Sequence, residues 1–454
     1  MDEILKRFIA RSPVAVMVQA SLRRVFADSA LDNLFERHAQ AQYTRDLTFS
    51  TVTKLMLAVA TKKWPSLHAA YRHAAEPLSV TVASLYNKVN GLETGISQAF
   101  VNETATALQG ISEALPRQSK PAVAGLRLRT LDGNFLAGTD HRLDCLRGCG
   151  AAALPGMSLV VRDGHTGLLT DLIPCEDAYT SERSLFPQVL ALVHADDLWV
   201  ADRNFCTLDY LAGLAQRGAY FVIRHHGGTK LQARGPRKAC GANASGKISE
   251  QRVRISSGFE CRCIVVQLYQ PLRDGSTELR VLTNVPAKRL SAKRALKLYH
   301  TRWRIETAFQ ELTENLRCEI HTLAHPKAAL FAFALAVAAY NILVIVRAAL
   351  AGADATTAFA KEQGEGGLSS YYLATEVAAT TEGMLIAVPE ESWERLVKMS
   401  LRTFAAWLAA VAAGAKLGRY RKSPRGPKKP TTVRRTGRGA HRSTARILVQ
   451  NSHE

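Results

Sequence analysis

Residues 328–346 read AALFAFALAVAAYNILVIV, nineteen in a row without a formal charge. As a helix this stretch is ~28 Å long, enough to cross a bilayer, and all its faces must leave water. Two environments accept it: a lipid core or the interior of a large protein. The stretch is rich in alanine, contains Asn341, and follows directly on a strongly charged segment. Those features favour a buried core helix in a chain that does not enter a membrane. With 454 residues there is room for such a core and for about two to four domains.

The first part of the chain, 1–112, is expected to be a helical domain. LTFSTVTKLMLAVATKK places Val52, Leu55, Met56 and Val59 on one helix face. SLHAAYRHAAEP closes at Pro77, and VTVASLYNKVNGL has Thr81 as a cap and an end near Gly91. Three short helices in succession suit a helix-turn-helix, with Asn87 and Lys88 facing DNA, or equally a plain helical bundle.

Near residue 125 the period changes. LRLRTLD alternates and ends in Asp132; MSLVVRD and GLLTDLI flank a turn at 163–167 and read as a hairpin. A helix over SERSLFPQVLALVHA follows, then DLWVAD, a strand ending in Asp202. This order indicates a mixed α/β sheet flanked by helices. Strand-like runs separated by basic, turn-rich breaks continue to residue 285, so 218–292 is expected to be a β-rich insertion. Segments 113–217 and 293–350 then form one core, followed by a helical region, 351–415. From Lys416 to Arg446 there are twelve Lys or Arg and no acid, so 416–454 reads as a basic disordered tail.

The net charge of +20, from 59 Lys and Arg against 39 Asp and Glu, predicts attraction to a polyanion. The eight cysteines form no pair of CxxC spacings, which argues against a structural zinc site. The opening MDEILKRF has no secretory leader, consistent with a reducing cytoplasm.

The chemistry concentrates in YHTRWRIETAFQE, residues 299–311. Read as one helix, Tyr299, Arg302, Glu306, Gln310 and Thr313 share a face, with Arg317 a turn further on. Ile305, Ala308, Phe309, Leu312 and Leu316 make the adjoining apolar stripe. Glu306 and Arg302 can be a plain i,i+4 ion pair or part of a site. Trp303 falls at the edge of the face and can equally pack against the sheet. Asp132 and Asp202, at the ends of neighbouring strands, can share a metal or merely form turns. Three carboxylates within ~5 Å repel by roughly 3 kcal/mol per pair at an effective dielectric of 20, so such a set calls for a cation. Oxygen ligands alone favour Mg²⁺ or Mn²⁺, and two ions are the arrangement suited to phosphodiester chemistry. Asp163, Asp171, Asp196 and Asp197 read as turn or surface acids, and His225-His226 as a strand-end turn. Arg224, Lys230, Arg234, Arg237 and Lys238 either line a nucleic-acid channel or face solvent.

The LDGN and VADRNF acids, the β insertion and YHTRWRIETAFQEL together resemble the DDE transposases of bacterial insertion sequences, most closely the insertion-sequence-four family. The resemblance spans about 125–350. It implies an RNase H-like core with Asp132, Asp202 and Glu306 as a metal-binding triad. It further implies DNA contacts from Tyr299, Arg302, Trp303, Arg304, Gln310, Arg317 and Arg224. The implied activity is cleavage at transposon ends and strand transfer into target DNA, by a homodimer in the synaptic complex, in a bacterial, nucleoid-associated cytoplasmic setting. A metal-dependent nuclease without strand transfer and a DNA-binding protein with decayed catalysis are the alternatives. The family places a lysine seven residues after the glutamate; here Thr313 stands there, and Arg317 is the nearest substitute.

Overall fold

The computed structural model describes residues 2–451 apart from 45, 75–77, 117–120, 137, 139–142, 147–152, 256–258, 273–274, 321, 354–366 and 423–441. Among the described residues seven helices precede the sheet: α1 (Glu3–Arg11), α2 (Pro13–Val25), α3 (Asp28–His38), α4 (Phe49–Ala60), α5 (Leu67–Arg72), α6 (Val82–Gly91) and α7 (Thr94–Ala114). Val52, Leu55, Met56 and Val59 are buried on one face of α4. Thr81 caps α6 by accepting from the Ser84 N–H at 3.2 Å, which satisfies one of the free donors of its first turn.

Ten strands form one sheet: β1 (Arg127–Phe135), β2 (Met157–Asp163), β3 (Leu169–Cys175), β4 (Asp197–Ala201), β5 (Tyr220–Arg224), β6 (Leu231–Ala233), β7 (Lys238–Asn243), β8 (Gly246–Ile255), β9 (Phe259–Leu268) and β10 (Glu278–Thr283). The spatial order is β3-β2-β1-β4-β5-β10-β9-β8-β6, with β7 paired to β8. β1, β2 and β3 are antiparallel, whereas β4 and β5 continue parallel from β1. That order and those directions make the first five strands an RNase H-like sheet. The hairpin turn expected at 163–167 is present. Buried Asp163 organises it by accepting from the N–H groups of His165 and Thr166 at 2.9 and 2.6 Å.

The residues expected as an insertion, 218–292, divide in two. Tyr220–Arg224 is the fifth strand of the core sheet, and β6–β10 prolong the same sheet through the antiparallel β5–β10 pair. Two apolar layers cover the central strands. Leu131, Trp199, Ala201 and Phe221 pack on one face with α8 (Phe186–Ala191) and α9 (Leu208–Gln216). Leu128, Leu198, Val200 and Val222 pack on the other with α10 (Ala292–His300). Then come α11 (Trp303–Asn315) and α12 (Pro326–Ala353).

All residues from Ala328 to Val346 are buried inside the protein. The small alanines let α2, α4, α7 and β3 all approach α12, and Phe331 packs against the rings of Phe49 and Phe100. β3 is the outer strand of its end of the sheet, and Asn341 closes part of that edge. Its Oδ1 accepts from the Leu169 N–H and its Nδ2 donates to the Leu169 carbonyl, both at 2.8 Å.

After α12 lie α13 (Ser370–Ala387), α14 (Glu390–Val397) and α15 (Leu401–Ala413). The expectation of a disordered tail is corrected at both ends of that segment. Tyr420 is buried and its hydroxyl donates to Glu376, while α16 (Thr444–Asn451) carries Arg446 to Asp177 at 2.7 Å. Residues 423–441 of the tail lie outside the described residues.

Replacing Asn341 by Leu keeps the volume but leaves the Leu169 N–H and C=O without their side-chain partner. A loss of about 2–4 kcal/mol in urea unfolding is expected; an unchanged midpoint contradicts this role.

Candidate active site

Strand register decides which residues meet. β1 and β4 pair in parallel from Arg127↔Asp197 to Thr130↔Val200, and carrying that register forward brings Asp132 level with Asp202. Side chains alternate along a strand, so both acids share the face of Leu128, Leu198 and Val200, where α10 and α11 run. Asp132 does not end its strand, contrary to the sequence expectation, because β1 continues to Phe135 against β2. It is β4 that stops, at Ala201. Asp202 then caps the turn Arg203–Phe205, its Oδ1 accepting from the Asn204 N–H at 2.7 Å.

YHTRWRIETAFQE is not one helix, which corrects the single helical face drawn above. α10 ends at His300 and α11 begins at Trp303. Between them the backbone tightens to i→i−3 bonds, from Thr301 to Leu298 and from Arg302 to Tyr299. The Thr301 hydroxyl also donates to the Leu298 carbonyl at 2.7 Å, competing for the helix's own acceptor. The apolar stripe survives within α11: Ile305, Ala308 and Leu312 are buried and seat the helix.

The break delivers Arg302 to the sheet. Its Nη1 donates to Asp132 Oδ2 at 2.8 Å and its Nη2 to Glu306 Oε1 at 2.6 Å, with only 12% of the side chain exposed. One guanidinium therefore bridges two of the three expected acids. Burial pushes the Asp132 carboxyl up to about 7; Arg302 opposes this, while the charges of Asp202 and Glu306 add to it. Burial works against the Arg302 charge too, but Asp132 and Glu306 outweigh it and hold the guanidinium above its ordinary value. Tyr299 is buried beside Arg302 and within the field of Arg224; burial raises its phenol.

The remaining expected residues are placed as follows. Arg203, next to Asp202, and Arg224 line an open cavity of about 290 Å³ with His225, His226 and Arg280. His225 and His226 do form a strand-end turn: His225 Nε2 pairs with the Thr229 carbonyl at 2.8 Å, and the Gly228 N–H donates to His226 Nδ1 at 3.1 Å. Trp303 is 60% exposed, so it does not pack into the sheet. Arg304 and Gln310 are exposed on α11, and Gln310 donates to Glu314. Asn87 is exposed on α6, whereas the Lys88 Nζ donates to the Tyr43 carbonyl and lies 4.1 Å from the centre of the Phe35 ring. Arg317 ties α11 to the α4–α5 connection, donating to the carbonyls of Trp64 and Pro65 at 3.0 and 2.7 Å. Thr313 is exposed and its hydroxyl returns to the Phe309 carbonyl. Asp197, expected as a turn or surface acid, is fully buried beside Arg127 and Arg129.

A fourth acid escaped the sequence reading. Glu182 opens the short turn before α8, and its carboxylate lies over Gly133, where any Cβ would overlap it. Asn204 Nδ2 donates to Glu182 Oε2 at 3.4 Å, and burial raises this carboxyl, with the charge of Asp202 adding to the rise. In sequence, SERSLF is an ordinary helix start, and no spacing marks its glutamate.

The donors available at the end of β4 are all carboxylate oxygens, the set that suits a hard divalent ion. Among the described residues, no three His, Cys, Asp or Glu side chains stand close enough to hold an ion as they are. Arg302 accounts for this on one side, since it already bridges Asp132 and Glu306. The chemistry of the set fits a cation, provided that Arg302 gives way.

Residues 150–342 match the family model described as "Transposase DDE domain". The match includes Asp202 and Glu306, begins after Asp132, and supports a DDE transposase. A search of curated proteins finds no match. Among solved structures the chain is similar to the cryo-EM structure of the piggyBac transposase synaptic complex with hairpin DNA. That likeness has 11% identity and a TM-score of 0.37, over 85% of this chain and 75% of the other, and is too distant to bear on mechanism.

The Asp132 carboxyl is raised in the folded protein relative to the unfolded chain, so the native state holds the extra proton between about pH 4 and pH 7. Stability from this group is therefore present at low pH and lost as pH rises through that window. In metal-free buffer, the melting temperature of the wild type is expected to fall across it relative to Asp132→Asn. Parallel pH profiles for the two proteins contradict the assignment.

Proposed function

We propose that the protein is a cut-and-paste DNA transposase of the bacterial insertion-sequence-four type, with Asp132, Asp202 and Glu306 as its metal-binding acids. The observation that carries this reading is Arg302 bridging Asp132 and Glu306 beside Asp202, at the end of parallel strands in an RNase H-like sheet.

Divalent ions, two Mg²⁺ or Mn²⁺ in this reading, supply charge neutralisation at the scissile phosphate and a lowered pKa for the attacking oxygen. The three acids would hold them. Arg302, released from Asp132 and Glu306, would donate in fork geometry to a phosphate, the anion it fits best. Tyr299, buried against it, keeps the guanidinium at the mouth of the site. Arg224, with Arg203 and Arg280 in the neighbouring cavity, follows the DNA backbone. Trp303 presents an exposed ring on which a base can stack, and Arg304 and Gln310 extend the same contact surface along α11. Asn87 reaches DNA from α6, while Lys88 and Arg317 serve the fold.

Two chemical steps use this site. In cleavage, the oxygen of water forms a bond to phosphorus, and the 3′-oxygen leaves and takes up a proton. In strand transfer, that 3′-hydroxyl attacks a phosphodiester of target DNA and releases another 3′-hydroxyl. Each step exchanges one P–O bond for another, so no oxidant or external energy source is needed. The net charge of +20 draws both DNA partners to the protein, and a homodimer holds two transposon ends together in the cytoplasm.

The test uses supercoiled plasmid carrying the element's terminal repeats, in Mg²⁺. Wild type is expected to cut at the ends and join them to target DNA. Glu306→Gln should lower the cutting rate at least about 100-fold while still shifting end DNA in a gel. Equal cutting by the variant overturns the catalytic assignment. Cutting without joining by wild type makes the protein a nuclease, and binding without cutting makes it a DNA-binding protein with a decayed site.

A further inference from the structure

The acids at the end of β4 are unevenly neutralised. Asp132 and Glu306 share the Arg302 guanidinium, whereas Asp202 and Glu182 have no ion-pair partner among the described residues. Each of these two is partly withdrawn from water, and among the described residues both are hydrogen-bonded by Asn204: its backbone N–H donates to Asp202 and its side-chain amide to Glu182. Two adjacent carboxylates without a counter-charge destabilise each other and the fold. A glutamine at 182 could accept the same Asn204 bond without that penalty.

Space is also reserved for the carboxylate. Glu182 Oε1 sits where the Cβ of any residue other than glycine at 133 would be, directly after Asp132. Gly133 lies inside an extended strand, and its other neighbour, Leu159 Cδ2, would be at an ordinary 3.5 Å from a Cβ there, so the Glu182 carboxylate is the group that a side chain at 133 would displace. The turn that carries Glu182 is fixed from below by Leu185 and Phe186 in the apolar layer and by Arg183, whose Nε donates to the Asn204 carbonyl. Glu182, Asn204 and Asp202 thus form one braced unit.

We propose that Glu182 is a fourth carboxylate of the metal site, seating a divalent cation together with Asp202 on the side that Arg302 does not neutralise. This inference rests on the transposase reading and adds a residue to it. Its consequence is a division of labour in the DNA-free protein: Arg302 is the counter-charge for Asp132 and Glu306 until DNA binds, and a bound cation supplies it beside Asp202 and Glu182. Activity in Mg²⁺ then depends on the charge at 182 and not merely on its hydrogen bond.

The test is the melting temperature of the full chain, without DNA, titrated with MgCl₂ and MnCl₂. Glu182→Gln preserves shape and an acceptor for Asn204. Its metal-free melting temperature should equal or exceed that of wild type, because a like charge is removed. The Mg²⁺ concentration giving the half-maximal shift should rise at least about tenfold. Gly133→Ala, which displaces the carboxylate by its Cβ, should weaken the Mg²⁺ response in the same direction while retaining the wild-type circular dichroism spectrum. If Glu182→Gln lowers the metal-free melting temperature and leaves the half-saturation point unchanged, Glu182 is structural and the proposal fails. Asp202→Asn separates the two levels. If it abolishes the Mg²⁺ response while Glu182→Gln does not, only the role of Glu182 falls. If neither wild type nor any variant responds to Mg²⁺ or Mn²⁺, the metal-dependent reading falls with it.

Discussion

The burial of α12 is the constraint on which the rest of the structure depends. Nineteen uncharged residues have to be shielded on every side, and one layer of helices cannot do it alone. Helices from the N-terminal region, the C-terminal α15 and the edge of the sheet all close around it. Apolar burial is non-directional, so it brings these elements together without fixing their register. Asn341 supplies the direction by engaging both polar groups of Leu169, both residues being fully buried. The N-terminal helices and the β-sheet are therefore one packed body around α12.

That body places the acids. α12 holds β3, β3 holds β2, and β2 pairs with β1 along seven residues that include Asp132. On the other side of β1, the short β4 ends and frees Asp202 at the same level. The two-residue break between α10 and α11 lets Arg302 turn into this gap while Ile305, Ala308 and Leu312 keep α11 seated. The result is a half-buried group of like charges, two of which share a single guanidinium. Such an arrangement costs folding free energy unless a cation or a phosphate completes it.

Much of this was legible in the sequence, for reasons that can be named. Period-two runs identified β1, the β2–β3 hairpin and β4, and the alternation predicted two acids at one edge. The uncharged length of α12 predicted its burial. The spacing from Arg302 to Glu306 predicted their contact, because i and i+4 meet on any helix. Three features were not legible. A helical period cannot show the break at Thr301–Arg302, where a side-chain hydroxyl competes for a backbone acceptor. Nor can it show that Arg317 is spent on the carbonyls of Trp64 and Pro65, since those partners lie about 250 residues away in sequence. The placement of Glu182 was invisible because its carboxylate lies over a missing side chain, that of Gly133, on another strand. The ordered helix α16 was masked by the basic composition around it; its partner Asp177 lies in a different part of the chain.

The central claim is that the acids gathered by β1, β4 and α11 are a divalent-metal site from which Arg302 withdraws. The most direct measurement is the anomalous difference map of crystals grown with Mn²⁺ and a DNA duplex carrying one transposon end. The account predicts anomalous density among Asp132, Asp202 and Glu306, with the Arg302 guanidinium turned from the carboxylates to a DNA phosphate. A map without density there, in crystals where DNA is bound and Arg302 still bridges Asp132 and Glu306, contradicts it.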